Sequence, residues 1–263
     1  VSISNTSPLA GKIIVLTRSD EQAKDSASLW NETGAELILF PVLEICRPND
    51  WSRFDRLVTE DNFDYIIFTS VNAVKMFCQR VKEKNINFDF SRIHVTAVGT
   101  KTSEACRAEN IPVSLIPNEF SGAGVVAAFG SLNIAGKRIF IPRSAIAKNE
   151  IVEGLVKAGA IVETTDVYDV KIPDSAKCAD IIKLIQNKPV DFILFTSPST
   201  YYNFVKIVGF KDEPEYFSKV KVAAIGKTTK QAIEDRGVKV TVVPEVQTME
   251  GLKDALINYY MVS

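Results

Sequence analysis

The sequence predicts an α/β protein of two domains, each a parallel sheet of about five strands flanked by helices. Two observations point there: short apolar runs rich in Val, Ile and Phe alternate with stretches of helical period, and that alternation occurs twice along the chain. The 263 residues, 46% hydrophobic and 24% charged, have a globular composition and a length that gives roughly two domains.

Taken in order, strands are expected at Ile13–Thr17, Leu37–Phe40, Tyr65–Thr69, Val95–Val98 and Val113–Ile116 in the first half. The second half repeats them at Arg138–Ile141, Ile161–Thr165, Phe192–Thr196, Val222–Ile225 and Val238–Val243. Each is a short run of the kind a parallel sheet buries on both faces. Helices are expected at Glu21–Glu32, Val71–Val81, Ser103–Glu109, Asn149–Lys157, Thr200–Val208, Lys230–Arg236 and Met249–Tyr260, where the apolar period lengthens.

The repeat is explicit in the residues. Gly11-Lys12 returns as Gly136-Lys137, Arg18 as Arg143 and Gly34-Ala35 as Gly159-Ala160, all at an offset of 125. Beyond a two-residue insertion the offset becomes 127: Asp64 returns as Asp191, Phe68-Thr69-Ser70 as Phe195-Thr196-Ser197, Gly99 as Gly226, Thr102 as Thr229, Pro117 as Pro244 and Gly124 as Gly251. One ancestral unit was copied, and two copies of this length make a bilobed molecule rather than a solenoid.

Composition removes several function classes. A net charge of -1 lacks the broad basic field of nucleic-acid and membrane-surface binders, which leaves a small molecule as the expected partner. Cys46, Cys78, Cys106 and Cys178 never form C-x-x-C, so they read as buried free thiols of a reducing compartment, with neither zinc nor disulfides implied. No stretch is long and apolar enough to span a membrane and the start does not resemble a signal peptide, so the expected location is the cytoplasm. The single histidine, His94, sits at the mouth of a strand, which argues against a Ser/His/Asp triad or a histidine-rich metal site. Neither G-x-x-x-x-G-K-[ST] nor a G-x-G-x-x-G after the first strand is present, so no nucleotide cradle is expected.

In a doubly wound sheet the loops at the carboxyl ends of the strands form the ligand crevice, and the helices that follow turn their amide-rich N-termini into it. The repeated polar residues fall there. Thr69, Ser70, Thr196 and Ser197 close a strand before a helix, Thr102 and Thr229 follow Gly99 and Gly226 in the same way, and Arg18 and Arg143 end the first strand of each copy. Such loops suit a multiply carboxylated anion. Helix capping accounts for the hydroxyls equally well, tight turns for the glycines, and solvated surface charge for the arginines.

The chain resembles the uroporphyrinogen-III synthase family over nearly its whole length. The resemblance is carried by Ile14-Val15-Leu16-Thr17-Arg18 with Glu21-Gln22-Ala23, Gly34-Ala35 leading to Phe40-Pro41, Phe68-Thr69-Ser70 with Asn72-Ala73-Val74, and Ala97-Val98-Gly99 with Thr102. It continues through Pro142-Arg143, Tyr168, Phe195-Thr196-Ser197-Pro198-Ser199, Ala224-Ile225-Gly226-Lys227-Thr228-Thr229 and Glu250-Gly251-Leu252. Their order and spacing are specific together, and none is diagnostic alone.

What the resemblance implies is a lyase of tetrapyrrole and heme biosynthesis, monomeric and without cofactor or metal. It closes linear hydroxymethylbilane to uroporphyrinogen III, losing water and inverting the last pyrrole ring through a spiro intermediate. It also implies two flavodoxin-like domains, 1–43 with 173–263 and 48–166, joined by a two-stranded connector at 43–48 and 167–173. Tyr168 matches the tyrosine proposed to assist departure of the hydroxyl, and a phenol of ordinary pKa, about 10, keeps its proton at neutral pH. Thr102 matches a threonine of the cleft, and Ser70, Ser197 and Thr229 match substrate-contacting loop positions. Leu43 stands where the first copy would carry Tyr168, so the pseudo-symmetry breaks at the proposed acid; packing in the connector is the competing role for Tyr168. Two other functions fit the same bilobed pattern: a non-catalytic receptor for a small anion or sugar that closes by hinge motion, and an α/β module that binds a protein partner.

Overall fold

A computed structural model describes residues 7–18, 28–60 and 62–262. Among them are the strands β1 (Ile13–Leu16), β2 (Glu36–Leu39), β3 (Glu44–Cys46), β4 (Tyr65–Phe68), β5 (His94–Ala97), β6 (Val113–Leu115), β7 (Arg138–Ser144), β8 (Ile161–Lys171), β9 (Phe192–Phe195) and β10 (Lys221–Ala224). The helices are α1 (Ser52–Glu60), α2 (Val71–Glu83), α3 (Thr100–Ala108), α4 (Gly122–Phe129), α5 (Glu150–Lys157), α6 (Ala179–Asn187), α7 (Pro198–Val208), α8 (Glu213–Phe217), α9 (Lys227–Glu234) and α10 (Met249–Val262). None of the described helices is long and apolar enough to cross a membrane.

The chain divides into two compact units, Val1–Glu44 with Lys171–Ser263, and Ile45–Val170. The first holds a four-stranded sheet in the order β10-β9-β1-β2; the other sheet has six strands in the order β3-β8-β7-β4-β5-β6. The pairings of β1 with β2 and β9, of β9 with β10, of β4 with β5 and β7, of β5 with β6, and of β7 with β8 are all parallel.

Burial on both faces follows from the alternation of side chains along each strand. In β4, Ile66 and Phe68 point into a core with Phe54 of α1 and Phe77 of α2, while Ile67 between them packs with Val125 and Phe129 of α4 and Leu155 of α5. The other sheet behaves alike: Ile193 and Phe195 of β9 meet Tyr201 and Phe204 of α7, whereas Phe192 and Leu194 face Trp30, Leu252 and Leu256. Each of the large side chains here is fully buried, so truncating one to alanine would cost about 2–5 kcal/mol.

Each sheet draws strands from both copies of the repeat, and the repeated residues show how. Lys12 pairs with Asp191 at 3.2 Å and Lys137 with Asp64 at 2.8 Å, so the lysine of each copy meets the aspartate of the other. The second carboxylate oxygen of Asp191 accepts the Ile13 amide at 2.9 Å, and that of Asp64 accepts the Arg138 amide at 2.8 Å. These equivalent clasps tie β1 beside β9 and β7 beside β4.

Several expectations need correction. The count of about five strands per domain becomes four and six. Val238–Val243 forms no strand: only an isolated bridge from Ala223 to Val242 joins it to β10, and Pro244 removes the next backbone donor. β3 has three residues and no apolar run to betray it, and β8 extends to Lys171. The helices α1, α4, α6 and α8 were not anticipated: α8 has five residues and α4 is apolar with little periodicity, whereas α1 and α6 are as long as the anticipated α3. Of the helix expected at Glu21–Glu32, residues 21–27 lie outside the described residues, 28–30 are helical and Asn31–Thr33 forms a 3-10 turn. Cys46 is half-buried, whereas Cys78, Cys106 and Cys178 are buried as expected.

Candidate functional site

The carboxyl ends of the parallel strands gather the predicted residues into two groups, one on each unit. On the six-stranded sheet, Thr69 and Ser70 follow β4, Arg143 lies near the end of β7, Tyr168 lies in β8, and Thr102 occupies the first turn of α3 after β5. On the other unit, Arg18 follows β1, Thr196 and Ser197 follow β9, and Thr229 occupies the first turn of α9 after β10.

Tyr168 is directed by an irregularity in its strand. Arg143 pairs with Asp166 but Ser144 pairs with Tyr168, so Val167 is an extra residue, and Tyr168 is bound in place by its carbonyl accepting the Ala145 amide at 3.0 Å. Such a bulge re-aims the side chains beyond it. The ring packs into the aromatic core with Phe68 and Phe140 and is 9% exposed, and its phenol oxygen lies 3.1 Å from the Ser70 hydroxyl. Ser70 is also the N-cap of α2, accepting the Ala73 amide at 3.1 Å. Capping and site placement therefore coexist in one residue: the cap fixes the hydroxyl, and the hydroxyl fixes the phenol.

Arg143 is half-buried between two cavities. One, of about 240 Å³, is also lined by Thr69, Lys148 and Glu150; the other, of about 500 Å³, by Arg53, Thr165 and Asp169 among others. One guanidinium nitrogen donates to the Asn149 side chain at 2.9 Å, while the buried Nε has no protein acceptor among the described residues. The arginine is thus held by a neutral side chain, and Asp50, Asp166 and Asp169 are among the residues that line the larger cavity with it.

In the first unit Ser197 builds a full capping box on α7, accepting the Thr200 amide at 3.2 Å while its own amide donates to the Thr200 hydroxyl at 3.2 Å. Its hydroxyl also lies 2.9 Å from that of Ser199. Thr196, which precedes it, and Arg18, which follows β1, are half-buried, and Thr17 anchors the end of β1 by donating to the Leu194 carbonyl at 2.6 Å. Thr102 and Thr229 are buried, each three residues after a glycine N-cap that offers no side chain to the helix amides. No N-cap side chain therefore accepts the first-turn amides of α3 and α9.

Lys148, Glu150 and Phe120 also reach this edge and were not singled out from the sequence. A signal was present for the loop holding Phe120: Ser121 and Thr248 stand at the repeat offset and accept the amides of Gly124 and Gly251, both at 3.0 Å. The repeated glycines mark that turn.

A family model described as uroporphyrinogen-III synthase HemD matches residues 24–254. The uroporphyrinogen-III synthase of Synechococcus elongatus is 30% identical over 250 residues, 93% of this chain and 94% of its own. That of Chlorobaculum parvum is 27% identical over 241 residues, 89% of this chain and 93% of its own. Among solved structures, uroporphyrinogen-III synthetase from Helicobacter pylori superposes with a TM-score of 0.62 at 16% identity, covering 94% of this chain and 99% of its own. A mutant uroporphyrinogen III synthase from Thermus thermophilus gives 0.61 at 16% identity over 95% and 100% of the two chains. The structural likeness supports the mixed α/β fold of helix-flanked parallel sheets. The sequence matches, spanning most of the chain, go further: the chain belongs to the uroporphyrinogen-III synthase family.

Proposed function

We propose a division of labour by which this uroporphyrinogen-III synthase, a cyclising hydro-lyase of porphyrin and heme biosynthesis, converts hydroxymethylbilane to uroporphyrinogen III. The observation that carries it is the hydroxyl pair Ser70–Tyr168 at the carboxyl edge of a parallel sheet, the phenol held 3.1 Å from a capped helix start. Ser70 accepts the Ala73 amide and gives its own proton to the phenol oxygen, which leaves the phenol proton for the substrate. The positive end of α2 favours charge developing on the phenol oxygen as that proton leaves.

Tyr168 donates to the departing hydroxyl, and water leaves with the electrons of the carbon–oxygen bond. The resulting azafulvene cation is attacked by the substituted carbon of the terminal pyrrole, forming the spiro intermediate. The bond from that pyrrole to its old neighbour breaks, the ring turns over, and its free carbon closes the macrocycle. The proton released on closure balances the one Tyr168 supplied. Carboxylate side chains of the substrate are taken by Arg18 and Arg143, by the hydroxyls of Thr69, Thr102, Thr196, Ser197 and Thr229, and by first-turn amides. In this reading the two units are flavodoxin-like domains joined through a two-stranded connector, and the protein works as a cytoplasmic monomer without cofactor. Its main contribution is conformational, holding the bilane in the geometry that leads to the inverted isomer.

The test is the isomer formed from freshly generated hydroxymethylbilane, separated after oxidation to porphyrin. Predominant isomer III supports the reading. Only the spontaneous isomer I would overturn it and leave the two-lobed receptor as the better account.

A further inference from the structure

We propose that Phe120 is a substrate-positioning residue, an apolar plate on which a pyrrole ring of the bilane lies. The inference deepens the synthase reading and rests on it. Phe120 lies in the loop between β6 and α4, on the carboxyl side of the sheet, and is 62% exposed, so the fold gains little by burying it. The ring nevertheless has a fixed backing: its Cγ and Cδ2 lie 3.6 Å from the point a Cβ on Gly99 would occupy, directly at the start of α3. The ring lies over the side-chain-free Gly99, and much of it is left to solvent.

The second copy shows that the fold does not require an aromatic there. At the repeat offset stands Gln247, and its side chain takes the same place over Gly226, at the start of α9. An amide serves that turn in one copy and a phenyl ring in the other, so the ring answers to something besides packing. A flat apolar surface beside uncapped helix amides matches a pyrrole bearing carboxylates, which offers a face to stack and anions to bind.

Chemistry separates this role from that of Tyr168. The Tyr168 phenol reaches the Ser70 hydroxyl at the end of β4, the strand beside β5, whose end carries Gly99, so plate and acid stand at neighbouring strand ends. A phenyl ring has no proton to give, so Phe120 acts by holding a ring in place. Its loss should weaken binding and productive folding of the bilane without slowing hydroxyl departure.

The experiment compares wild type with Phe120→Gln, the residue of the other copy, and Phe120→Trp, which keeps the plate. Each is assayed for the rate of isomer III formation against hydroxymethylbilane concentration, for the ratio of isomers III and I, and for its thermal midpoint. Phe120→Gln is expected to raise KM about tenfold, the scale of one lost aromatic contact, with kcat within about twofold and an unchanged midpoint. Isomer I then accumulates from bilane left unbound, while Phe120→Trp stays close to wild type. An unaltered KM in Phe120→Gln, a loss confined to kcat, or equal damage in Phe120→Trp would overturn the assignment while leaving the synthase reading intact. Wild type that makes only isomer I would overturn both.

Discussion

The phenol oxygen of Tyr168 lies 3.1 Å from the Ser70 hydroxyl, which at the same time accepts the Ala73 amide at the start of α2. A helix cap and a proposed general acid thus share one oxygen, and the two can be separated by mutation. Tyr168→Phe is expected to lower kcat by about 100-fold, the usual scale of a lost proton donor, with little change in KM. Ser70→Ala should lower kcat less and, unlike Tyr168→Phe, cost about 1 kcal/mol of stability through the cap. Steady-state kinetics beside urea unfolding of both variants checks the pair.

Arg143 should act on binding rather than on the chemical step. Its buried Nε lacks a protein acceptor among the described residues while Asn149 steadies one end of the fork. Arg143→Ala is expected to raise KM by about tenfold, and Arg143→Lys to recover only part of it, because an ammonium keeps the charge and loses the planar fork. Initial rates over a range of bilane concentrations distinguish this from a change in kcat.

The two repeat-related glycines should respond differently to alanine. Gly99 has a φ of +94, where an L side chain is strained, whereas Gly226 has a φ of -167 and ordinary extended backbone. Gly99→Ala is expected to cost about 1–2 kcal/mol. In Gly226→Ala the new methyl meets chiefly the amide end of Gln247, which can swing aside, so the cost should stay within about 0.5 kcal/mol. Chemical denaturation of the two variants measures the difference.

Asp64 supplies a pH-dependent part of the stability. The Lys137 ammonium first, and then the Arg138 amide, hold its carboxyl below the usual carboxylate range. A folded value below the unfolded one means that the contribution is fully present above the unfolded value, near about 4, and fades as the pH falls through the folded value. Asp64→Asn is expected to cost about 1 kcal/mol at pH 7, a charged hydrogen bond discounted for partial exposure, and progressively less in acid. Unfolding curves at neutral and acidic pH should converge for variant and wild type.

The thiols should react unequally. Burial pushes Cys78 and Cys106 up to about 12, so both stay protonated and enclosed near neutral pH, while Cys46 is half-buried. A brief exposure to a maleimide in the folded state should modify Cys46 and spare the other two, as peptide mapping by mass spectrometry would show.

The alternation of apolar runs with helical stretches was enough to place nine of the ten described strands within or beside their expected positions, because a strand buried on both faces must be apolar throughout. The exceptions have local causes. β3 is held by its neighbour β8 rather than by its own three residues, and the edge segment ending at Val242 lacks a continuous ladder. At the site, strand-end hydroxyls were legible from their repetition, but their partners were not. Nothing in the spacing of residues 70 and 168 says that they touch, since the contact depends on a bulge after Arg143 and on which strands lie side by side.

By itself the sequence determined the class of fold, the duplication, the strand ends on which chemistry could sit, and the family that those residues resemble. All of these follow from local composition and from similarity along one dimension. Only the tertiary structure decided that Lys12 meets Asp191 while Lys137 meets Asp64, that Ser70 serves both α2 and Tyr168, and that Phe120 stands over Gly99 where the other copy has Gln247. The physical reason is the same in each case: hydrogen bonds and contacts between residues far apart in sequence are set by sheet order and register, and two copies of one pattern can be assembled in more than one order without altering the pattern itself.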